Sequence, residues 1–380
     1  LIETPIDATH PTLRPAAVKY ATTELRSRTE KDVVMERWSI EQAADWQART
    51  GWLVGFNYLP RTAVNWTELW QAETFDLATI DEELGWAASI GFNALRTNLQ
   101  FLVWQHDAAG LKARIDRFLG VAARHGVGVM LCPFDDCAFS GVEPFLGPQG
   151  DPIPDVHNSR AAASPGRAVV RDRTRWPDLQ RFVTDVVGHF RDDPRIVVWD
   201  LYNEPGNDFV FTGASTPDPS DPLRPHSMAL ARETFAWARS VAPTQPLTCG
   251  VWSLEWRTHE TELPRLSDVV SFHSYLPLPN VIEQVDVLRA EGRPILCTEW
   301  LARGLGSLAA THLPYFAEQK IGCFHWGLVN GRTQTHLPWP GFAPFYPNGE
   351  WHHDLLHADG TPYDAQEIAE FRRWCAQAGR

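Results

Sequence analysis

The 380-residue chain has no apolar run near the roughly 18 residues that a membrane-spanning helix requires, so a membrane-embedded protein is not expected. Its six cysteines, at 132, 137, 249, 297, 323 and 375, form no C-x-x-C pair, which argues against a zinc site built on cysteine. Four of them fall inside strand-like runs, where buried reduced thiols are expected rather than disulfides. No H-x-H occurs, and a metal-dependent barrel hydrolase would lack that ligand pattern. No metal and no cofactor are therefore expected. Positive charge is also short: 34 Lys and Arg stand against 47 Asp and Glu, a formal net charge of −13 that argues against nucleic acid and suits a neutral substrate. No charged-then-apolar leader opens the chain, and Met35, just ahead of MERWSIEQAADWQ, is a candidate initiator. The expectation is a cytoplasmic rather than a secreted enzyme.

What is present is ordinary globular material, 44% hydrophobic and 21% charged, of a length that one large barrel can absorb. Residues 1–34 show no sustained period and are expected as an arm outside the fold; residues 39–50 suggest a short amphipathic helix across a barrel floor. From residue 51 onward, buried-type strands alternate with helical stripes. Strands are expected at Trp52–Tyr58, Ala94–Leu99, Val127–Pro133, Ile196 onward, Leu247–Val251, Val269–Tyr275, Ile295–Glu299 and Ile321–Gly327. Between the first two, Ile80, Leu84, Ala87 and Ala88 recur at helical spacing, with Thr79 and Glu82 placed as a capping box and Gly91 past the end. Before the fourth, Pro177 sits at a first-turn position ahead of the stripe Leu179, Phe182, Val183, Val186, Val187, Phe190. Further helices are expected near 110–125, 226–241, 281–291, 305–319 and 364–377. Eight such units imply an α/β fold, a single-domain (β/α)8 TIM barrel over 51–380.

Two of the strands end unusually. IVVWDLYNEP, residues 196–205, and PILCTEW, residues 294–300, each finish a buried-type run with a glutamate, Glu204 and Glu299. A carboxylate there is either solvated at a turn or held for chemistry, and two in one chain weigh towards chemistry. The pair, with the strands between, resembles the clan A glycoside hydrolases and in particular their family 5, which includes cellulases and mannanases.

The resemblance implies a retaining glycosidase in which Glu204 is the acid/base and Glu299 the nucleophile, with Asn203 beside the sugar 2-hydroxyl and an oligosaccharide or glycoside as partner. It also gives roles to other strand ends. Arg96 matches an arginine that orients the nucleophile, although a snorkelling structural arginine is the alternative. His273 and Tyr275, two apart in FHSY, match a pair contacting substrate and nucleophile, with core packing as the alternative for the histidine. Trp326 matches an aromatic floor under the sugar, or is simple core. One departure is CPFDDCAF after strand three, where many family members carry histidine. Asp135 and Asp136 there could bind sugar hydroxyls, an amine or a cation, or could cap backbone NH groups.

Three long loops, 135–175, 206–225 and 328–364, follow strands three, four and eight and carry His157, Asn158, Phe209, Phe211, Gln334, Trp339, Trp351 and His352. Bulky loops wall a cleft into a pocket, which favours exo action or short oligosaccharides over an endo-acting β-glycanase. A carbohydrate-binding pseudoenzyme would keep the barrel without turnover.

Overall fold

The computed structural model describes residues 36–213, 220–253 and 261–378; the expected arm at 1–34 lies outside them. Eight parallel strands make the barrel: β1 Val54–Asn57, β2 Ala94–Asn98, β3 Gly128–Cys132, β4 Ile196–Asp200, β5 Leu247–Thr248, β6 Val270–His273, β7 Ile295–Glu299 and β8 Gly322–Trp326. They pair in the order β5-β4-β3-β2-β1-β8-β7-β6. Between β6 and β5 the gap is bridged at Val251 and Phe272, with Val251 NH donating to Ser271 O at 3.1 Å and His273 NH to Val251 O at 2.9 Å. The sheet thus closes on itself, as eight strands of this kind do.

Every expected strand is present: β7 has the expected bounds, β2, β4 and β5 keep their expected starts, and the other expected ends are trimmed by one to three residues. Helices run over Ile40–Thr50, Leu77–Ile90, Ala108–Arg124, Trp176–His189, Leu223–Ser240, Leu278–Leu288, Ala309–Gln319 and Ala365–Cys375. One start is corrected. Asp76, not Thr79, caps the Leu77–Ile90 helix, its carboxylate accepting from Thr79 NH at 3.1 Å and Thr79 Oγ1 at 2.6 Å. Glu82, freed from any capping box, pairs with Arg61. An aspartate accepts such bonds better than a threonine, and Thr79 serves as its partner.

The floor of the barrel is apolar. Ala43 and Trp46 of the Ile40–Thr50 helix pack on Leu53, Ala94, Met130, Val198, Val269, Leu296 and Phe324, so the helix plugs the end opposite the strand C-termini. Gly55 on β1 admits Phe324: a Cβ there would sit 2.8 Å from the Phe324 ring and 2.4 Å from Ala94 O. Helices cover the outer faces of the strands through a second, larger apolar cluster that includes Leu95, Val129, Trp199 and Phe272. All six cysteines are buried free thiols. Among the described residues no helix is long and apolar enough to cross a membrane.

Strand alternation explains which polar groups reach the mouth. Side chains at 94, 96 and 98 on β2 share one face, so Arg96 and Asn98 rise inside the barrel above Ala94. On β7 plain alternation would put Glu299 with Ile295 and Cys297, on the helix side. The β6–β7 register slips by one residue between Phe272 and His273, so that Phe272 faces Cys297 and His273 faces Glu299. The extra residue, Thr298, acts as a bulge that turns Glu299 inward.

Candidate active site

Above the floor the barrel interior becomes polar and remains buried. Arg96, fully buried, organises it. Its Nε donates to Asp200 Oδ2 at 2.8 Å, Nη1 to Asn57 Oδ1 at 2.8 Å and to Glu299 Oε1 at 2.9 Å, and Nη2 to Asn203 Oδ1 at 2.7 Å. A planar guanidinium with five N–H groups is the one side chain that can hold β1, β4 and β7 together in this way. Two carboxylates beside it hold its pKa above the usual arginine range despite burial.

Glu299 receives a second donor, the Tyr275 hydroxyl, on Oε2 at 2.7 Å. Glu204 stands opposite, in a left-handed backbone conformation with φ 45°. The strain is accommodated in a turn closed by Asn207 NH to Glu204 O at 2.9 Å. Its Oε1 meets His273 Nδ1 at 2.8 Å, and the same nitrogen is 3.5 Å from Glu299 Oε2. One oxygen of each glutamate and a ring nitrogen of His273 all lie within 4.8 Å of one another. The two residues, far apart in the chain, converge.

Burial raises the pKa of both carboxyls, that of Glu299 to about 7 with the Glu204 charge adding to it. Two neighbouring buried negative charges are unfavourable, so the pair retains a proton. Arg96 and Tyr275 draw the charge to Glu299. Burial also lowers His273 to about 4, and its Nε2 faces Gly250 without a hydrogen-bond partner. The imidazole is therefore neutral around pH 7. Glu204, His273 and Glu299 are spaced to accept a cation, but the Arg96 guanidinium on Glu299 opposes one there.

The remaining expected residues divide. Asn203 is held by Arg96 and donates to Asp135 Oδ1 at 2.8 Å. The other Asp135 oxygen accepts from Trp66 Nε1 at 2.9 Å and Asn98 Nδ2 at 3.0 Å, so this carboxylate braces the site. Asp136 turns elsewhere. Its oxygens accept from Tyr202 OH at 2.9 Å, Gly206 NH at 2.6 Å and Ser227 Oγ at 2.5 Å, and burial raises its pKa to about 6. It fastens the Glu204–Gly206 turn to the Leu223–Ser240 helix, which is the backbone-capping alternative for this residue. Trp326 ends β8, beside Asn57 in register, and is half-buried.

Sequence reasoning missed Asn57, Asp200, Cys137 and Asn207. The first two were legible as polar residues closing apolar strands; Cys137 and Asn207 sit in loops with no such signal. Asn207 Nδ2 donates to Glu204 Oε2 at 2.6 Å and the Cys137 thiol to the same oxygen at 3.2 Å.

Over one side of the site the loops after β3 and β8 are tied together. Gln334 Nε2 donates to Ile153 O at 2.7 Å and Val156 O at 3.1 Å, Asn158 NH to Thr333 O at 2.7 Å, and His157 Nδ1 meets Leu337 O at 2.7 Å. Trp339 stands edge-on to Tyr275, with ring centroids 5.0 Å apart, and packs with His157, His352 and His353. Phe211 stacks on Phe139 at 4.2 Å beside His157. Trp351 belongs elsewhere, stacked on Tyr363 at 4.5 Å, and Phe209 is exposed.

A closed (β/α)8 barrel with two close carboxyls at the ends of β4 and β7 is the framework of a glycosidase. The model of the cellulase family, glycosyl hydrolase family 5, matches residues 64–331, and the chain belongs to this family of glycoside hydrolases. No curated protein matches the chain by sequence. Among solved structures, a GH5_18 variant from Streptomyces cattleya in complex with Manβ1-4GlcNAc is 16% identical with a TM-score of 0.58, over 86% of this chain and 82% of its own. The endo-β-1,4-mannanase of Thermotoga petrophila is 12% identical with a TM-score of 0.54, over 87% and 77%. An exo-β-1,4-mannosidase from Opitutaceae bacterium strain TAV5 is 18% identical with a TM-score of 0.54, over 86% of this chain and 60% of its own. At such identities the likeness is one of fold.

Proposed function

We propose that the protein is a retaining, exo-acting β-glycosidase that releases a terminal sugar from short oligosaccharides. The observation that carries the mechanism is the approach of the Glu204 and Glu299 oxygens to within 4.8 Å. Carboxyls about 5–5.5 Å apart leave no room for a water between sugar and base and instead favour direct attack by one of them. Glu299, holding the negative charge beside Arg96 and Tyr275, bonds to the anomeric carbon while Glu204 passes its proton to the glycosidic oxygen. The C–O electron pair leaves with that oxygen as an alcohol. Water then attacks the glycosyl ester, gives a proton to Glu204, and releases Glu299 as carboxylate. Neutral His273, between the two, adds no charge to either step, and the half-buried Trp326 offers its face to the sugar ring.

Exo action is supported by the wall of Trp339, His157, His352 and His353 over Tyr275, held by bonds between two loops. A wall on one side stops a polymer from threading the site. β-Mannosides head the substrate panel because fold neighbours include an exo-β-1,4-mannosidase and a complex with Manβ1-4GlcNAc. The test is proton NMR of early product from aryl β-glycosides, then Manβ1-4GlcNAc. A β-anomer appearing first supports the mechanism; an inverted anomer appearing first overturns it. A fast fall in polymer viscosity would instead favour an endo-acting glycanase.

A further inference from the structure

Oε2 of Glu204 is already crowded. The Asn207 amide donates to it at 2.6 Å, and the orientation of that amide is fixed because its Oδ1 accepts from Phe209 NH at 3.1 Å. The Cys137 thiol reaches the same oxygen at 3.2 Å. The sulfur itself lies 3.4 Å from Asn203 Nδ2 and 3.5 Å from Asn207 Nδ2, so amide hydrogens face its lone pairs and its own S–H is left for the carboxyl. Cys137 is fixed in turn by its backbone NH on Asp135 Oδ1 at 2.9 Å. Oε1, by contrast, faces His273 Nδ1, which is also the atom nearest the opposing carboxyl of Glu299.

We propose that Cys137 and Asn207 are positioning residues for proton transfer: they clamp Glu204 Oε2, so that the acidic proton resides on Oε1, on the side where the glycosidic bond lies between the two carboxyls. An oxygen that accepts two hydrogen bonds has no lone pair left to carry a proton towards substrate. The clamp also opposes protonation, because donors favour the anion; burial of the thiol raises its pKa well above the usual range and keeps it a donor. Asp135 thus acts twice, bracing Asn203 through Oδ1 and setting the loop that delivers the sulfur.

The inference rests on Glu204 as proton donor, and its test separates the two. Carbon-13 NMR titration of the Glu204 carboxyl in the full chain, assigned with Glu204→Gln, reads the clamp without turnover; the pH profile of kcat/KM on a poor-leaving-group glycoside reads its consequence. In Cys137→Ala the titration moves to higher pH and the alkaline limb follows, giving roughly 3- to 10-fold more relative activity one pH unit above the wild-type midpoint. Cys137→Ser supplies a stronger donor and moves both below the wild-type position. An unmoved titration in Cys137→Ala would reduce the thiol to packing and overturn the proposal. Should that variant not fold, Cys137→Ser carries the test, because a hydroxyl donates more strongly and lowers the midpoint; no movement again overturns it. A titration that shifts while the pH profile does not would leave the clamp standing and remove Glu204 as the donor.

Discussion

Replacing Arg96 with methionine keeps most of the buried stem and removes the charge. The change strands Glu299 Oε1, Asp200 Oδ2 and the amide oxygens of Asn57 and Asn203, all of which lose the Arg96 donor at 2.7–2.9 Å. Breaking a buried ion pair by removing one partner costs about 3–5 kcal/mol. That figure depends on pH, and the sign follows from the carboxyls. A stranded carboxyl avoids an unpaired charge by keeping its proton, at about 1.4 kcal/mol per pH unit above its ordinary pKa near 4. At pH 5 two groups can do so for about 3 kcal/mol in total; at pH 8 this route costs more than leaving them charged. The folded variant therefore binds more protons than its unfolded chain, and its stability falls as pH rises. The wild type shares the direction: Glu299, raised from 4.5 to about 7, contributes stability present below about pH 4.5 and lost as pH climbs through 7. Urea unfolding at pH 5 and pH 8 measures both effects. Arg96→Met should lose about 3–5 kcal/mol at pH 8 and about 1–2 kcal/mol less at pH 5. A loss under about 1 kcal/mol at both, or a larger loss at pH 5, would refute the account of Arg96 as the group that keeps these carboxylates in the interior.

Other expected outcomes follow from the same geometry. Glu204→Ala should lower kcat/KM about 10²- to 10⁴-fold on alkyl glycosides and far less on dinitrophenyl glycosides, with azide restoring turnover as a β-glycosyl azide; equal losses on both would show that no proton is donated from this position. Tyr275→Phe removes the 2.7 Å donor from Glu299, so the nucleophile holds its proton to higher pH and the acid limb of kcat/KM moves up, checked on a folded variant by initial rates from pH 4 to 8. Trp339→Ala opens the wall beside Tyr275 and should raise the ratio of activity on long to short oligosaccharides, read by product chromatography; an unchanged ratio would detach that wall from chain-length selection.

The barrel was legible because its signals are local and repeated. Eight short apolar runs separated by helical stripes leave few other ways to bury both faces of each strand, and IVVWD and ILCTE identify the ends of β4 and β7 by the charge that closes them. Arg96 was legible for the same reason: a guanidinium in an apolar run must meet anions. Asp136 stayed open between two roles because DD after a strand looks alike in sequence whether it faces substrate or a helix, and only the fold brings Ser227 and the Gly206 NH to it. The Thr79–Glu82 box failed against a better cap three residues earlier. Asn207 and Cys137 carry no periodic signal, since their roles arise from a left-handed turn at Glu204 and from a loop that is fixed by Asp135.

These observations join stability to chemistry at one place. A buried carboxylate is expensive unless paired, and Asp200 and Glu299 share one guanidinium whose remaining donors hold two asparagine side chains. A second cation would lower that cost, yet beside Glu204 it would favour the carboxylate and oppose the proton-donor role proposed for that residue. The side chains bonded to Glu204 are instead neutral: an amide, a thiol and an imidazole pushed to about 4. Charge is supplied to one carboxyl and withheld from the other, although both sit in the same cavity. That asymmetry favours the anion on Glu299 and the proton on Glu204, the division that the proposed mechanism requires.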